Sequence, residues 1–436
     1  MLGLTRYQWL VLGAAWLGWG FDVYDSLLFN FVAPNAVPVL LGIPIGTAEA
    51  KSATLFWTGV LTSLLLIGWA VGGALFGYVA DRIGRVRTML LTMLLYAGGT
   101  AACAFAPNMA ALIVFRAVAS LGIGGEWAAG ASMVAEVMPE KRRVISGAIL
   151  FTAGPVGLMF ATLVNKEVAG AWLLANPEES WRYVMLFGLV PAAFAVLIRL
   201  FLKEPELWLR SQRSAPRVRL SELFSPDMRQ RTLSGFTLAT IALLTWWSCN
   251  AFLPVIVAGL AQAEAAVRGL DRIATQGLIE AWKTTAGYAF TLGGVVGALL
   301  TIPLAEVLGR RRMFALYFVA SAAAIMATHG LHLPPAVRLY MYFGVGAAVF
   351  GVFGAFTYYL TELFPTRLRG SGAGFCYNMG RIVAAIGPLI LGVIAARGTG
   401  ASDAAENFLF WVGVVPVAGL LIMPWVTETR GRPLPA

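Results

Sequence analysis

Charge is scarce in this chain: only 12% of its 436 residues are Asp, Glu, Lys or Arg, against about 25% in an ordinary soluble domain. So little charge cannot clothe a globular surface in water, and a soluble protein is excluded. Histidine and cysteine are also few, two and three residues. Cys103, Cys249 and Cys376 lie too far apart for a metal or redox motif and read as small buried apolar residues. There is no Gly-x-x-x-x-Gly-Lys phosphate loop, no His/Cys metal cluster and no nucleophile–base constellation. No metal, no cofactor and no enzyme activity is therefore expected. Acid is scarcer than base, 22 residues against 32, for a net charge of +10.

What the chain has in quantity is apolar sequence. Hydrophobic residues make up 59% of it, with a mean hydropathy of +0.76. Runs such as 8–31, 53–80, 89–106 and 408–426 are about the 20 residues that a membrane helix needs. Only a helix lets such a run satisfy its own backbone in lipid. Polar or basic breaks near 32–52, 81–88, 107–110, 136–144, 166–181, 203–231, 260–284, 306–313, 332–337, 363–370 and 397–406 divide the chain into twelve spans. The first run is too long for a cleaved signal and is expected to remain as the first span. Both termini and the even-numbered breaks carry the basic clusters, including "DRIGRVR", "EKRR", "GRRR" and "TRGR". The positive-inside rule then places both termini in the cytoplasm. Topology, with a minor share for anionic lipid, accounts for the net charge, and no nucleic acid is expected.

The chain repeats itself. "VADRIGRVRTM" at 79–89 aligns with "LAEVLGRRRMF" at 304–314, "AEVMPEKRR" at 135–143 with "TELFPTRLR" at 361–369, and "SGA" at 146–148 with "SGA" at 371–373. All three offsets are 225 or 226, which predicts two parallel six-helix halves, 1–202 and 232–436, joined by a charged loop at 203–231. The expected fold is thus all-α, twelve membrane helices in two pseudo-symmetric bundles. Transporters built from such repeats hold their substrate near the midplane between the halves.

The repeated motifs also carry a resemblance. Gly77-x-x-x-Asp81-Arg82-x-Gly84-Arg85-x-Arg87 resembles the loop signature of the major facilitator superfamily, and Glu306-x-x-Gly309-Arg310-Arg311-Arg312 is similar to its second copy. "FRAVASLGIGGEW", "KEPELWL" and "TETRG" resemble further motifs of that superfamily, and "GFDVYD" with "TELFPTRLRGSGAGFCYNMGR" is similar to its bacterial carboxylate proton symporters, of the sialate and lactate or the aromatic-acid kind. The resemblance implies a multi-pass protein of the bacterial inner membrane, working as a monomer. It also implies a cytoplasmic charge network of Asp81, Arg85, Glu136 and Arg142, mirrored by Glu306, Arg310, Glu362 and Arg367, that gates the outward-open state; simple topology signalling is the alternative.

A charge in the hydrocarbon region costs a few kcal/mol or more, so each one is functional or paired. Asp22 and Asp25 lie three residues apart in the first span, ~13 and ~9 Å below its outer end at 1.5 Å per residue. Arg116 in the fourth span lies ~10 Å below the same surface, so an Asp22–Arg116 pair is expected, either as a proton-coupling element or as a static clamp. Water access and a nearby arginine move the protonation of an aspartate in opposite directions, which suits coupling. Asp25 is either a second partner in that titration or hydrated near the surface. Glu126 is either a second proton station or a partner for a basic gate residue.

The second half holds Arg381, ~17 Å from the inner surface, with Asn378 one turn before it. A guanidinium grips a carboxylate through two parallel hydrogen bonds. Arg381 is expected to hold the substrate carboxylate, helped by Asn378, Asn250 and Tyr377, unless it pairs with an acid of the first half. Trp247 and Tyr358 are candidate cavity contacts, with packing as the alternative. His329 and His332 fall at the outer end of the ninth span, where a loop role is expected and a proton relay is the alternative. The expected function is a proton-coupled symporter importing a small organic anion, a monocarboxylate such as lactate or pyruvate, by alternating access. An uncoupled facilitator, a proton-coupled exporter of aromatic or drug-like compounds and a non-transporting sensor are the alternatives.

Overall fold

The computed structural model describes residues 4–139, 142–191, 193, 194, 197, 220–331, 333–365, 368–396 and 401–431; side chains at 77, 78, 80–82, 85, 126–133, 135, 136, 143, 144, 220, 369, 370, 395, 396 and 401–404 are outside the description. The first half contains α1 (Arg6–Leu41), α2 (Ala48–Ile83), α3 (Arg85–Cys103) and α4 (Met109–Val137). Next come α5, built from Arg143–Phe151 and Ala153–Glu167 and closing on a π turn at Val168–Trp172, and α6 from Pro177. The second half contains α7 (Pro226–Asn250, resuming at Leu253–Arg268), α8 (Arg272–Leu308) and α9 (Arg310–Gly330). It ends with α10 (Pro335–Val345 and Phe353–Glu362 around a π turn), α11 (Arg369–Ala384 and Ile386–Ala396) and α12 (Ala401–Val412 and Val414–Leu421). Among the described residues, nine helices are long and apolar enough to cross a membrane by themselves.

Several breaks are shorter than the sequence pattern suggests. The break expected at 260–284 closes to residues 269–271, because α7 runs to Arg268 and α8 starts at Arg272. Gly269 turns the chain at φ 64°, and Asp271 caps α8 by accepting from the Ala274 N–H at 2.7 Å. Polar residues there continue the helices beyond the apolar stretch, so hydropathy alone places the break too wide. Likewise α1 continues to Leu41 through Pro34 and Pro38, and α7 already starts at Pro226. At its other end α1 starts with a reciprocal cap between Thr5 and Gln8.

The repeat seen in the sequence has a backbone cause. Gly84 and Gly309, 225 residues apart, link α2 to α3 and α8 to α9 with φ of 110° and 80°, a region closed to most side chains. Within the halves the same partners recur: α2 packs on α4 and α1 on α5, while α8 packs on α10 and α7 on α11. Between the halves, α2 lies on α11, α5 on α8 and α1 on α7. Small residues set these close approaches, as membrane helices require. A Cβ at Gly72 would stand 2.0 Å from the Leu121 carbonyl oxygen, and one at Gly59 would stand 2.4 Å from the Pro388 carbonyl oxygen.

Candidate functional site

The motif charges tie the second half together at its Thr5 end. Arg310 pairs with Glu362 at 2.7 Å and 3.1 Å through Nη2 and Nε, joining α9 to α10. Glu428, beyond α12, caps α9 by accepting from the backbone N–H of Arg310 (3.0 Å) and Arg311 (3.1 Å). Burial pushes its carboxyl up, but N–H donation from Arg310, Arg430 and Arg311 and the Arg310 charge outweigh this and hold it below the usual carboxylate range. Its stabilisation is therefore present above the unfolded pKa, about 4.3, and is lost as pH falls through the folded value. Glu428→Gln is expected to lower stability by about 1 kcal/mol at neutral pH, as for a lost cap, and the gap from wild type should close below about pH 4 in detergent melting curves.

Of the remaining gate candidates, Glu306 is exposed and Arg142 is half-buried just before α5. Asp81, Arg85, Glu136 and Arg367 lie outside the described residues or side chains, as does the Glu126 side chain.

Midway along the helices, α1, α2 and α5 of one half face α7, α10 and α11 of the other across a narrow cavity. Its walls are aromatic: Trp19, Trp69 and Phe151 from the first half, and Trp246, Trp247, Phe350, Phe353 and Tyr377 from the second. Among the described lining residues Arg381 is the only charged one. It is 2% exposed and lies flat between rings, 4.0 Å from the Trp69 centroid and 4.5 Å from that of Tyr377. Its Nη1 donates to Asn378 Oδ1 at 2.8 Å, and its Nε has no hydrogen-bond partner among the described residues.

The structure gathers Arg381, Tyr377 and Trp247 at this cavity, with Asn378 behind Arg381 as its hydrogen-bond partner. It separates two other expected contacts from it. Asn250 lines a second, smaller cavity toward the Leu41 end, together with Asn30 and Phe31. Tyr358 packs on Arg310 and donates to the Thr301 carbonyl at 3.3 Å, inside the second half.

The acids of α1 also differ from expectation. Arg116 does not pair with the Asp22 carboxylate: its Nη1 donates to the Asp25 carbonyl at 3.4 Å and its Nη2 to the Ser26 carbonyl at 3.0 Å. Residue counting along two spans gives matching depth but not the rotation of each helix, and the rotation here aims the guanidinium at backbone. Asp25 is fully buried rather than hydrated; its carboxylate oxygens accept no hydrogen bond among the described residues, and Oδ1 faces Gly188, in the turn that follows Leu186. Asp22 is also fully buried, one turn before the cavity-lining Ser26, whose Oγ donates to the Asp22 carbonyl at 2.7 Å.

One charged group went unnoticed in the sequence. Glu280 and Lys283 of α8 are buried and paired at 2.8 Å. Their region reads as a loop by hydropathy, and the available signal was an acid and a base three residues apart, on one face of a helix.

A cavity midway between two packed six-helix halves is the architecture of an alternating-access transporter. Residues 15–388 match the Major Facilitator Superfamily, and the chain belongs to that family of membrane transporters. It is 29% identical over 96% of its length to the "Probable 4-methylmuconolactone transporter" of Cupriavidus pinatubonensis, covering 90% of that protein. It is 27% identical to the "Cis,cis-muconate transport protein" of Acinetobacter baylyi, over 86% of this chain and 88% of that one. The crystal structure of a D-xylose-proton symporter superposes with a TM-score of 0.75 at 18% identity, over 98% of this chain and all of that one, which gives the fold.

Proposed function

We propose that the protein is a proton-coupled symporter that imports a small unsaturated or aromatic carboxylate across the bacterial inner membrane, as a monomer with its Thr5 end in the cytoplasm. The observation that carries the reading is Arg381, the one charged group among the described residues of an otherwise aromatic cavity. Its unused Nε donor suits a carboxylate, and the rings around it suit a flat conjugated body. The muconate and methylmuconolactone relatives support the same cargo class. Lactate and pyruvate, the monocarboxylates expected from the sequence, have no ring or extended conjugated body to lay against these aromatic walls. Asp22, buried one turn from the cavity-lining Ser26, is the proposed coupling acid: once protonated it stops competing with the substrate for the guanidinium. Arg116 is proposed as a clamp that fixes α1 to α4 beside Asp25.

Uptake into proteoliposomes of labelled cis,cis-muconate, benzoate, lactate and pyruvate, with and without an inward proton gradient, tests this. A conjugated acid is expected to accumulate and lactate to stay out. Accumulation of lactate or pyruvate alone would reject the cargo class, and uptake indifferent to the gradient would reject coupling.

A further inference from the structure

The helix ends nearest Leu41 hold a charged cluster that the proposed transport site does not use. Glu280 and Lys283 stand one turn apart on α8, 2% and 0% exposed. The Glu280 carboxylate accepts from Lys283 Nζ at 2.8 Å and Gln276 Nε2 at 3.0 Å within α8, and from Asn165 Nδ2 of α5 at 2.6 Å. Lys283 Nζ also donates to the Phe31 carbonyl of α1 at 3.0 Å. A pair carried by the second half thus hooks onto two helices of the first.

Glycines bring the helices close enough for this. A Cβ at Gly170 would lie 3.2 Å from Glu280 Cβ, and one at Gly287 would lie 2.8 Å from Thr162 Oγ1. Beneath the pair sits the smaller cavity, which shares Leu27 with the central one. The cluster therefore stands over the path from the central cavity to the Leu41 end.

A buried ion pair adds little stability over apolar side chains of the same volume, and ionisable groups inside a membrane protein are functional by default. What this pair supplies is a contact with two discrete states. Its cross-half hydrogen bonds exist only while the halves touch here, and both charges reach water once the halves part.

We propose that the Glu280–Lys283 pair is the latch of the outer gate, holding α8 against α1 and α5 while the cavity is closed to the outside and releasing as the halves rock apart. The inference rests on the two-half fold and on the sidedness proposed above, and it is independent of the cargo and of proton coupling.

Asn30, 3% exposed beneath the latch, is the reporter. In a full-length background carrying Cys103→Ala, Cys249→Ala and Cys376→Ala, Asn30→Cys is labelled with a membrane-impermeant maleimide in right-side-out and inside-out vesicles. Adding Glu280→Gln with Lys283→Met, which removes both charges together, is expected to speed labelling from the outer face by about tenfold, a shift of roughly 1.4 kcal/mol in the gate equilibrium. Labelling from the cytoplasmic face should not rise. An unchanged outer rate would overturn the latch, equal acceleration from both faces would make the pair a structural strut, and acceleration from the cytoplasmic face alone would reject an outer gate. If that variant does not fold, Asn165→Leu removes only the α5 contact and is expected to move the outer rate the same way.

Discussion

Replacing Arg381 with glutamine is expected to remove carboxylate binding almost entirely. Losing one partner of a buried, charge-assisted contact costs about 3 kcal/mol, which weakens Kd by more than a hundredfold. Four tryptophans line the cavity, so quenching of intrinsic fluorescence by cis,cis-muconate or benzoate measures this directly. Tyr358→Phe is the control, because Tyr358 donates to Thr301 inside the second half and should leave binding within twofold of wild type. A Kd for Arg381→Gln within fivefold of wild type would mean that the substrate carboxylate is held elsewhere. Because the guanidinium is stacked between Trp69 and Tyr377, Arg381→Lys should not rescue binding, as an ammonium offers neither the flat face nor the paired donors.

Asp22→Asn is expected to abolish accumulation against a gradient while leaving exchange of substrate across the membrane intact. An amide cannot carry a proton, yet it leaves Arg381 free to bind and the halves free to rock. If one proton accompanies a monoanion, wild type should accumulate benzoate about tenfold per pH unit of inward gradient, since one unit is about 1.4 kcal/mol. The variant should equilibrate at a ratio near one. Asp25→Asn separates the roles of the two acids, because Asp25 faces Gly188 and the Arg116 side of α1. Retained accumulation in Asp25→Asn with loss in Asp22→Asn assigns coupling to Asp22; the reverse outcome would move the proton site one turn along α1 to Asp25, with Arg116 as its neighbour.

The membrane class, the helical spans and the likeness between the halves were legible in the residues themselves. Each depends on local properties: hydropathy over about 20 residues sets a span, and a glycine with positive φ sets the paired turns at Gly84 and Gly309. The buried charges Asp22, Asp25, Arg116 and Arg381 stood out for the same reason, since any ionisable residue within an apolar run is visible without a partner. The rise per residue gave each an expected depth along its own helix.

Which charge meets which was decided only in three dimensions. Counting residues puts Arg116 and Asp22 at one level, yet the guanidinium meets the Asp25 and Ser26 carbonyls. Arg381 lies between rings from α2 and α11, two helices of opposite halves. Asn250 and Tyr358 looked like neighbours of the substrate by depth and chemistry, but each faces away from the central cavity. Glu280 and Lys283 were hidden in a stretch read as loop, and their role across the halves exists only because Asn165 and Phe31 arrive from α5 and α1. The physical reason is common to all of these. Hydropathy and helical rise specify where a residue lies along its own axis, whereas the rotation of that axis against its neighbours is set by small-residue contacts between segments more than a hundred residues apart, such as Gly59 on Pro388 and Gly287 on Thr162.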